Sequence, residues 1–185
     1  MRIAILSDIH DNVWSLGAAL GHVSEVDALI CCGDLCSPFV IHQLGREFQN
    51  PIHIVFGNND GDLFRITANA ANYGHILIHG HFFRGNFGGK SFAVNHYDNI
   101  ARSVAASGQF DVVCYGHNHI FEVARIGATL TINPGSIMGA SFAGDGTRID
   151  GVSTFAIYDT ESDTAHGYQV VPSALGSFET ARYPQ

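Results

Sequence analysis

The 185 residues, of which 46% are hydrophobic and 14% charged, predict a folded globular chain rather than a disordered one, and we expect one domain covering residues 1–185. The net charge of −8 and the single lysine leave no basic stripe of the kind that binds a long nucleic-acid backbone, so extended nucleic-acid binding is not expected. No apolar run reaches the roughly 20 residues of a membrane span, and no signal peptide precedes the first apolar run, so we expect a cytoplasmic protein without membrane association.

The first 70 residues alternate between short apolar runs and helical patterns. The predicted strands cover residues 2–7, 27–32 and 52–56, and the predicted helices cover about 14–22, about 38–48 and a stretch that ends near residue 69. Such alternation is typical of parallel strands joined by crossover helices. The first half of the chain is therefore expected to form a parallel sheet.

The second half is richer in hairpins. Residues 76–78 and 82–83 are predicted to lead through a glycine-rich turn at 85–89 into a strand at 91–94, and residues 120–125 are predicted to pair with 128–132. The remaining predictions are a helix at about 98–107, strands at 110–115, 152–158 and 165–171, and a mobile loop at 139–151. These elements predict a mixed α/β fold with two stacked mixed β-sheets flanked by helices, a four-layer α/β/β/α sandwich.

Polar side chains that can bind metals follow five of the predicted strands. They are Asp8 and His10, then Asp34, Asn58, His96, and finally His117 and His119. Because ligands bind beyond the carboxyl ends of the strands in open α/β sheets, we expect these seven side chains at one edge. Carboxylate, amide and imidazole groups suit hard or borderline divalent ions. Two residues apart on an extended backbone, the last two histidines lie about 6.6–6.8 Å apart, which lets each bind its own metal ion.

The four cysteines are expected to be reduced. Cys31, Cys32 and Cys114 lie in apolar runs and have the character of small core residues rather than of a disulfide framework. Cys32 and Cys36 have the spacing of half a zinc site, but no second cysteine pair completes such a site.

Several short segments together resemble the signature of the calcineurin-like metallophosphoesterases. They are Asp8-x-His10, Gly33-Asp34, Gly57-Asn58-Asn59-Asp60, His96 and Gly116-His117-Asn118-His119. With Asn133-Pro134-Gly135-Ser136, the match covers roughly residues 1–137 in order and is similar to the small single-domain phosphodiesterase branch of this family. The resemblance implies a phosphodiesterase that hydrolyses P–O bonds of a small phosphoester substrate by a metal-activated water.

The same resemblance implies two divalent metal ions as cofactors. Mn²⁺ is the expected ion, with Fe, Zn, Ni and Mg as alternatives. By resemblance, Asp8, His10 and His119 would bind the first metal ion, and Asn58, His96 and His117 would bind the second. Asp34 would bridge the two ions.

The chain departs from the family pattern at His96. Relatives usually carry His-Gly-His where this chain has His96-Tyr97-Asp98, and a literal copy of that string occurs at residues 79–81. We expect His96 to be the ligand because it follows a strand and precedes a helix, and because His117 follows 21 residues later, close to the family's interval. His79 and His81 are then expected to be side chains of the hairpin.

A second departure concerns Asn59, the expected catalytic residue beside the ligand Asn58. Many relatives place a histidine there, which is thought to bind the phosphoryl group or protonate the leaving group. An amide can donate a hydrogen bond but cannot deliver a proton at pH 7. The site is therefore expected to depend more on its metal ions and to favour good leaving groups.

Three alternatives to a phosphodiesterase stay open at this point. Within enzymes they are a phosphomonoesterase and a dinucleoside polyphosphate hydrolase. The third is a non-catalytic interaction scaffold with the same fold, and the retention of all seven ligand residues argues against it. A homo-oligomer is possible: Phe82, Phe83 and Phe87 are expected to pack the second sheet, but they could instead form an interface.

Overall fold

The structure is a computed structural model that describes residues 1–173 and 177–184. These described residues form four helices and fourteen strands. The helices are α1 (Val13–His22), α2 (Val40–Glu47), α3 (Leu63–Ala70) and α4 (Asp98–Ala106). The strands are β1 (Arg2–Leu6), β2 (Ala28–Cys31), β3 (Ile52–Ile54), β4 (Ile76–Ile78), β5 (Phe82–Phe87), β6 (Lys90–Asn95), β7 (Val112–Cys114), β8 (Phe121–Ile126), β9 (Thr129–Pro134), β10 (Ala140–Phe142), β11 (Arg148–Asp150), β12 (Ser153–Asp159), β13 (Thr164–Pro172) and β14 (Phe178–Arg182).

The strands form two large sheets and one small hairpin. The first sheet has the order β14-β13-β12-β1-β2-β3-β4, the second has the order β5-β6-β7-β9-β8, and β10 pairs only with β11. In the first sheet β1 to β4 are parallel, while β12, β13 and β14 are added antiparallel. In the second sheet β6, β7 and β9 are parallel, so that their carboxyl ends share one edge.

Three buried clusters define four layers. The cluster between the sheets includes Ile5 of β1, Ile30 of β2, Phe92 of β6 and Cys114 of β7. A second cluster packs α1, α2 and α3 against the outer face of the first sheet, and a third packs α4 against the outer face of the second sheet. The predicted fold class, a four-layer α/β/β/α sandwich with stacked mixed sheets, is confirmed.

The segment between residues 76 and 95 differs from the prediction. Ile76–Ile78 is not part of the hairpin but forms β4, the parallel edge strand of the first sheet. The hairpin consists of β5 and β6 in the second sheet, and its turn is confined to Gly88 and Gly89. The predicted turn residues 85–87 instead continue β5, because Phe83 and Phe87 alternate into the core between the sheets and hold that stretch extended.

Two further regions are more regular than expected. Residues 139–151, predicted as a loop, contain the β10–β11 hairpin, which we call the flap hairpin. Phe178–Arg182, for which the sequence carries no clear pattern, pairs with β13 as an edge strand of the first sheet. Their weak hydrophobic patterns reflect their exposure, since both are held by backbone pairing at a surface. Among the described residues, no helix combines the length and apolar character that a membrane span requires.

Candidate metal centre

The seven predicted ligand residues converge at the edge where the parallel strands of both sheets end. Asp8 and His10 follow β1, Asp34 follows β2 and Asn58 follows β3 in the first sheet. His96 follows β6, and His117 and His119 follow β7, in the second sheet. Because the two sheets stack with these ends together, side chains from both reach a common site.

The backbone at this edge is strained. Among the described residues, eight non-glycine residues have a positive φ, and seven of them lie here: Asp8, His10, Asp11, Asp34, Cys36, His117 and His119. Left-handed backbone is uncommon for residues other than glycine and costs about 1–3 kcal/mol per residue. Such strain clustered at one site indicates that local stability is subordinated to the placement of these side chains.

The first group of ligand atoms comes from Asp8, His10 and His119, which lie within 4.8 Å of one another. Nε2 of His119 is 3.2 Å from Oδ1 of Asp8 and 3.2 Å from Nε2 of His10. Nδ1 of His119 lies 2.6 Å from the carbonyl oxygen of Ala140 in the flap hairpin. A proton donated from Nδ1 to that carbonyl leaves Nε2 free as a ligand, an arrangement common for metal-binding histidines.

The second group is centred on Asp34 and His96. Nε2 of His96 is 3.5 Å from Oδ2 of Asp34 and 3.0 Å from Oδ1 of Asn58, while Nδ1 of His117 is 2.9 Å from the same Asn58 oxygen. His96 is fully buried, and its Nδ1 lies 2.8 Å from the carbonyl oxygen of Cys32, which again presents Nε2 to the site.

Asp34 lies between the two groups. Its Oδ2 is 3.5 Å from Nε2 of His10 on one side and 3.5 Å from Nε2 of His96 on the other. A carboxylate in this position can contact two metal ions at once. Asp8 also belongs to both sets of converging atoms, since it groups with Asp34 and His96 as well as with His10 and His119.

Burial and charge act in opposite directions on the titration of these groups. Burial alone would raise the pKa of Asp8, but the facing imidazoles of His10 and His119 and the charge of His96 hold that pKa well below its usual range. Burial also tends to raise the pKa of Asp34. His96 and Asn59 stabilise the Asp34 anion, and the pKa is lowered overall. The site therefore keeps both carboxylates ionised, as metal binding requires.

The buried atoms of the site fit a bound cation. Oδ1 of Asp8 is buried and, among the described residues, has no hydrogen bond of good geometry. A buried carboxylate oxygen without a donor is costly unless a cation compensates it. Two glycines make room around these carboxylates: a Cβ at Gly57 would collide with Oδ1 of Asp34, and one at Gly116 with Oδ2 of Asp8.

Asp60 organises the backbone of the site, a role that the sequence does not reveal. Asp60 belongs to the Gly57-Asn58-Asn59-Asp60 segment, but its partners are main-chain groups that only the fold brings together. Its carboxylate accepts hydrogen bonds of 2.7–3.1 Å from the backbone N–H groups of Asp34, Leu35, Cys36 and Gly57. One half-buried side chain thus joins the loop after β2 to the loop after β3.

The structure separates the two candidate histidine positions. His96 lies among the converging ligands, whereas Nε2 of His79 is 3.0 Å from Nδ1 of His53, and its ring stacks on Phe83 at 4.0 Å. His79 and His81 lie in the connection between β4 and β5, not within the hairpin as expected. Cys36, which the sequence left without a role, places Sγ 3.3 Å from Nδ1 of His10.

A cavity of about 470 Å³ opens onto the converging side chains, and we call it the metal cavity. Asn59 and His117 are exposed on its wall, and Asn118, Met138 and, from the flap hairpin, Phe142 also line it. The cavity is of a size that accommodates a small ligand.

Comparison with known proteins places this arrangement in context. The profile of the calcineurin-like phosphoesterase superfamily domain matches residues 1–163. A phosphodiesterase of Methanocaldococcus jannaschii is 30% identical over 168 residues, which cover 87% of this chain and 94% of that protein.

Solved structures show the same fold. An archaeal phosphodiesterase superposes with a TM-score of 0.80 at 27% identity, covering 91% of this chain and 99% of that one. Wild-type Vps29 of Entamoeba histolytica, solved with Zn²⁺, superposes with a TM-score of 0.67 over 99% of this chain and 98% of that one. At 17% identity the second likeness concerns the fold alone.

Proposed function

The chain belongs to the calcineurin-like phosphoesterase superfamily, and we propose that it is a phosphodiesterase whose centre binds two divalent metal ions. The observation that carries the proposal is the position of Asp34, whose Oδ2 lies 3.5 Å from Nε2 of both His10 and His96. A carboxylate flanked by two sets of metal-competent atoms is the arrangement that a bridged metal pair requires. The profile match over residues 1–163 supports one metallophosphoesterase domain for residues 1–185.

In the proposed centre, Asp8, His10 and His119 would hold one metal ion, and Asn58, His96 and His117 would hold the other. Asp34 would contact both. Bound divalent ions would supply Lewis acidity, which lowers the pKa of water and neutralises charge on phosphoryl oxygens. The donor set of carboxylate, amide and imidazole, without a thiolate, supports Mn²⁺ as the ion and is compatible with Fe, Zn, Ni or Mg.

The chain's own residues position the ligands and the substrate. Hydrogen bonds from Nδ1 of His96 and His119 to backbone carbonyls orient the two rings, which fixes where Nε2 points. Asn59 Nδ2 donates one hydrogen bond to Asp34 and has a second N–H that is free to donate to a phosphoryl oxygen in the metal cavity. Asn59 cannot act as a general acid, so leaving groups that depart without protonation are favoured.

The lack of cationic side chains around the metal cavity supports a small substrate. Among the described residues that line the metal cavity there is no lysine or arginine, so the metal ions supply the attraction for the phosphoryl group. A chain of further phosphates would find no cationic side chain there, which favours a simple diester over a dinucleoside polyphosphate. The four free cysteines support a reducing compartment, and we place the protein in the cytoplasm.

A non-catalytic scaffold is the contrasting function for this fold. The convergence of all seven ligand side chains and the strain in their backbone favour the enzyme, since a scaffold gains nothing from either.

Hydrolysis of bis(p-nitrophenyl) phosphate by metal-stripped protein, titrated with Mn²⁺, Fe²⁺, Zn²⁺ or Ni²⁺, tests the proposal. We expect turnover that depends on added metal and that falls by at least about 100-fold in Asp34→Asn, because the bridging charge is lost. Asp62→Asn, which changes an exposed acid at the start of α3, is the matched control. Absence of turnover with every ion would contradict the enzyme and favour the scaffold.

A further inference from the structure

A second cavity of about 380 Å³ adjoins the metal cavity, and we call it the side cavity. His119 and Ser141 line both cavities, so the ring of the proposed metal ligand forms part of their common wall. The two cavities therefore adjoin at these two residues.

The lining of the side cavity includes apolar and aromatic side chains. Ile120 and Val152 line it although they are 64% and 47% exposed, so they present apolar surface that the fold leaves unburied. The rings of Phe121 and Tyr183 lie 5.0 Å apart at one end. Phe121 reaches this position because Gly167 carries no side chain, and a Cβ there would meet the ring at 2.6 Å.

Two of the hydroxyl groups that line the side cavity are already engaged within the protein. The hydroxyl of Ser136 donates to the carbonyl oxygen of Asp8, and that of Thr154 donates to the carbonyl oxygen of Pro134. Both hydrogens are thus already used inside the protein. Among the described residues, the ionisable side chains that line the side cavity are the imidazole of His119 and the phenol of Tyr183.

From this geometry we infer that the side cavity is a substrate subsite for one ester group of the diester, a neutral group of about the size of one aromatic ring. The inference rests on the proposed function, since it assigns the second half of the substrate whose phosphoryl group lies at the metal centre. A phosphomonoester of a small alcohol leaves the side cavity unfilled. A second charged phosphate would enter a pocket that holds no lysine or arginine among its described lining residues, which is unfavourable.

Two stable phosphonates that differ only in this group test the inference by direct binding. Benzylphosphonate carries an aromatic ring in place of the ester group, and methylphosphonate does not. Their affinities for the Mn²⁺-loaded protein are measured by isothermal titration calorimetry. We expect benzylphosphonate to bind at least about tenfold more tightly, as burial of an aromatic ring predicts.

Two variants change the side cavity in opposite ways. Val152→Phe reduces its volume, and Tyr183→Ala removes one aromatic wall, so both are expected to lower the benzyl-to-methyl affinity ratio to about twofold while leaving the affinity for methylphosphonate unchanged. Ile100→Phe is the matched control, since Ile100 is an exposed residue of α4. Its affinity ratio is expected to equal that of the unaltered protein.

Equal affinity of the unaltered protein for the two phosphonates would overturn the inference. So would an equal loss of affinity for both ligands in Val152→Phe and in Tyr183→Ala. These failures are distinguishable from a failure of the proposed function, because they would occur with metal-dependent hydrolysis of bis(p-nitrophenyl) phosphate intact. Loss of that hydrolysis with every ion would contradict the proposed function instead.

Discussion

Asn59 donates two hydrogen bonds to Asp34, one from its backbone N–H to Oδ1 and one from Nδ2 to Oδ2, each 2.8 Å long. The residue proposed to contact the phosphoryl group is therefore tied directly to the residue proposed to bridge the metal ions. These two contacts fix the position of Asn59 relative to the Asp34 carboxylate.

Substitution of Asn59 tests whether the lack of a general acid at residue 59 limits the hydrolysis of esters with poor leaving groups. Asn59→His introduces a group that can donate a proton near neutral pH, and general acid catalysis contributes roughly 10²–10⁴-fold. We expect Asn59→His to raise kcat/KM for an alkyl diester, relative to bis(p-nitrophenyl) phosphate, by at least about tenfold. If the unaltered protein hydrolyses alkyl diesters as efficiently as nitrophenyl diesters, the absence of an acid at residue 59 is not limiting and this account is wrong.

Asp60 is expected to be the main support of the loops that carry Asp34 and Asn58. Asp60→Ala leaves four backbone N–H groups without their acceptor, and we expect the free energy of unfolding to fall by about 2–4 kcal/mol, measured by chemical denaturation. Asp62→Ala removes a helix cap with a single bond to the N–H of Arg65 and should cost only about 1 kcal/mol. Equal losses in the two variants would show that Asp60 has no special role.

The choice between His96 and His79 is tested by metal content. His96→Ala should lose about one equivalent of Mn²⁺ per chain, because His96 faces Asp34 and Asn58. His79→Ala should keep both equivalents, since its ring packs on His53 and Phe83. Inductively coupled plasma mass spectrometry of the dialysed proteins gives the stoichiometry. Loss of one equivalent in His79→Ala alone would reverse the assignment.

The convergence of the proposed ligand residues could be predicted from the sequence because a simple rule governs their positions. Each follows an apolar run, and the carboxyl ends of parallel strands meet at one edge. The same reasoning favours His96 over His79 as a ligand, since of the two only His96 stands between a strand and a helix. Local pattern and topology agree at these residues, and the fold class followed from the same alternation.

Features that depend on backbone partners could not be predicted in this way. The four contacts of Asp60 and the contact between His119 and the carbonyl of Ala140 join segments that are distant in sequence, and main-chain groups leave no trace in residue identity. The wrong assignment of Ile76–Ile78 to the hairpin had a related cause. The apolar character of this run fits a strand that pairs with β3 as well as a strand that continues towards Phe82. Only packing of the two sheets decides between these pairings.

The pair of His53 and His79 is expected to make stability depend on pH. Burial, with a smaller contribution from His79, lowers the pKa of His53 from 6.5 to about 4, and burial also lowers the pKa of His79. Below pH 6.5 the unfolded chain binds protons that the folded chain does not, so the free energy of unfolding should fall as the pH decreases from 6.5 towards 4. Above pH 6.5 the contribution of the pair to this slope should fade as the imidazoles of the unfolded chain lose their protons.

Chemical denaturation between pH 7.5 and 4.5 measures this effect. Because both rings are partly exposed and screened by solvent, we expect His53→Gln to remove only about 1 kcal/mol of the loss seen in the unaltered protein. His81→Gln, at an exposed histidine of the same connection, should follow the unaltered protein. A curve for His53→Gln parallel to that of the unaltered protein would contradict this interpretation.

The claim on which the rest depends is a metal pair bridged by Asp34, and an anomalous difference map from a crystal of the Mn²⁺-loaded protein tests it most directly. We predict two peaks about 3.5–4 Å apart, one beside Asp8, His10 and His119 and the other beside Asn58, His96 and His117, with the Asp34 carboxylate contacting both. A single peak, or peaks that lie away from Asp34, would contradict the account.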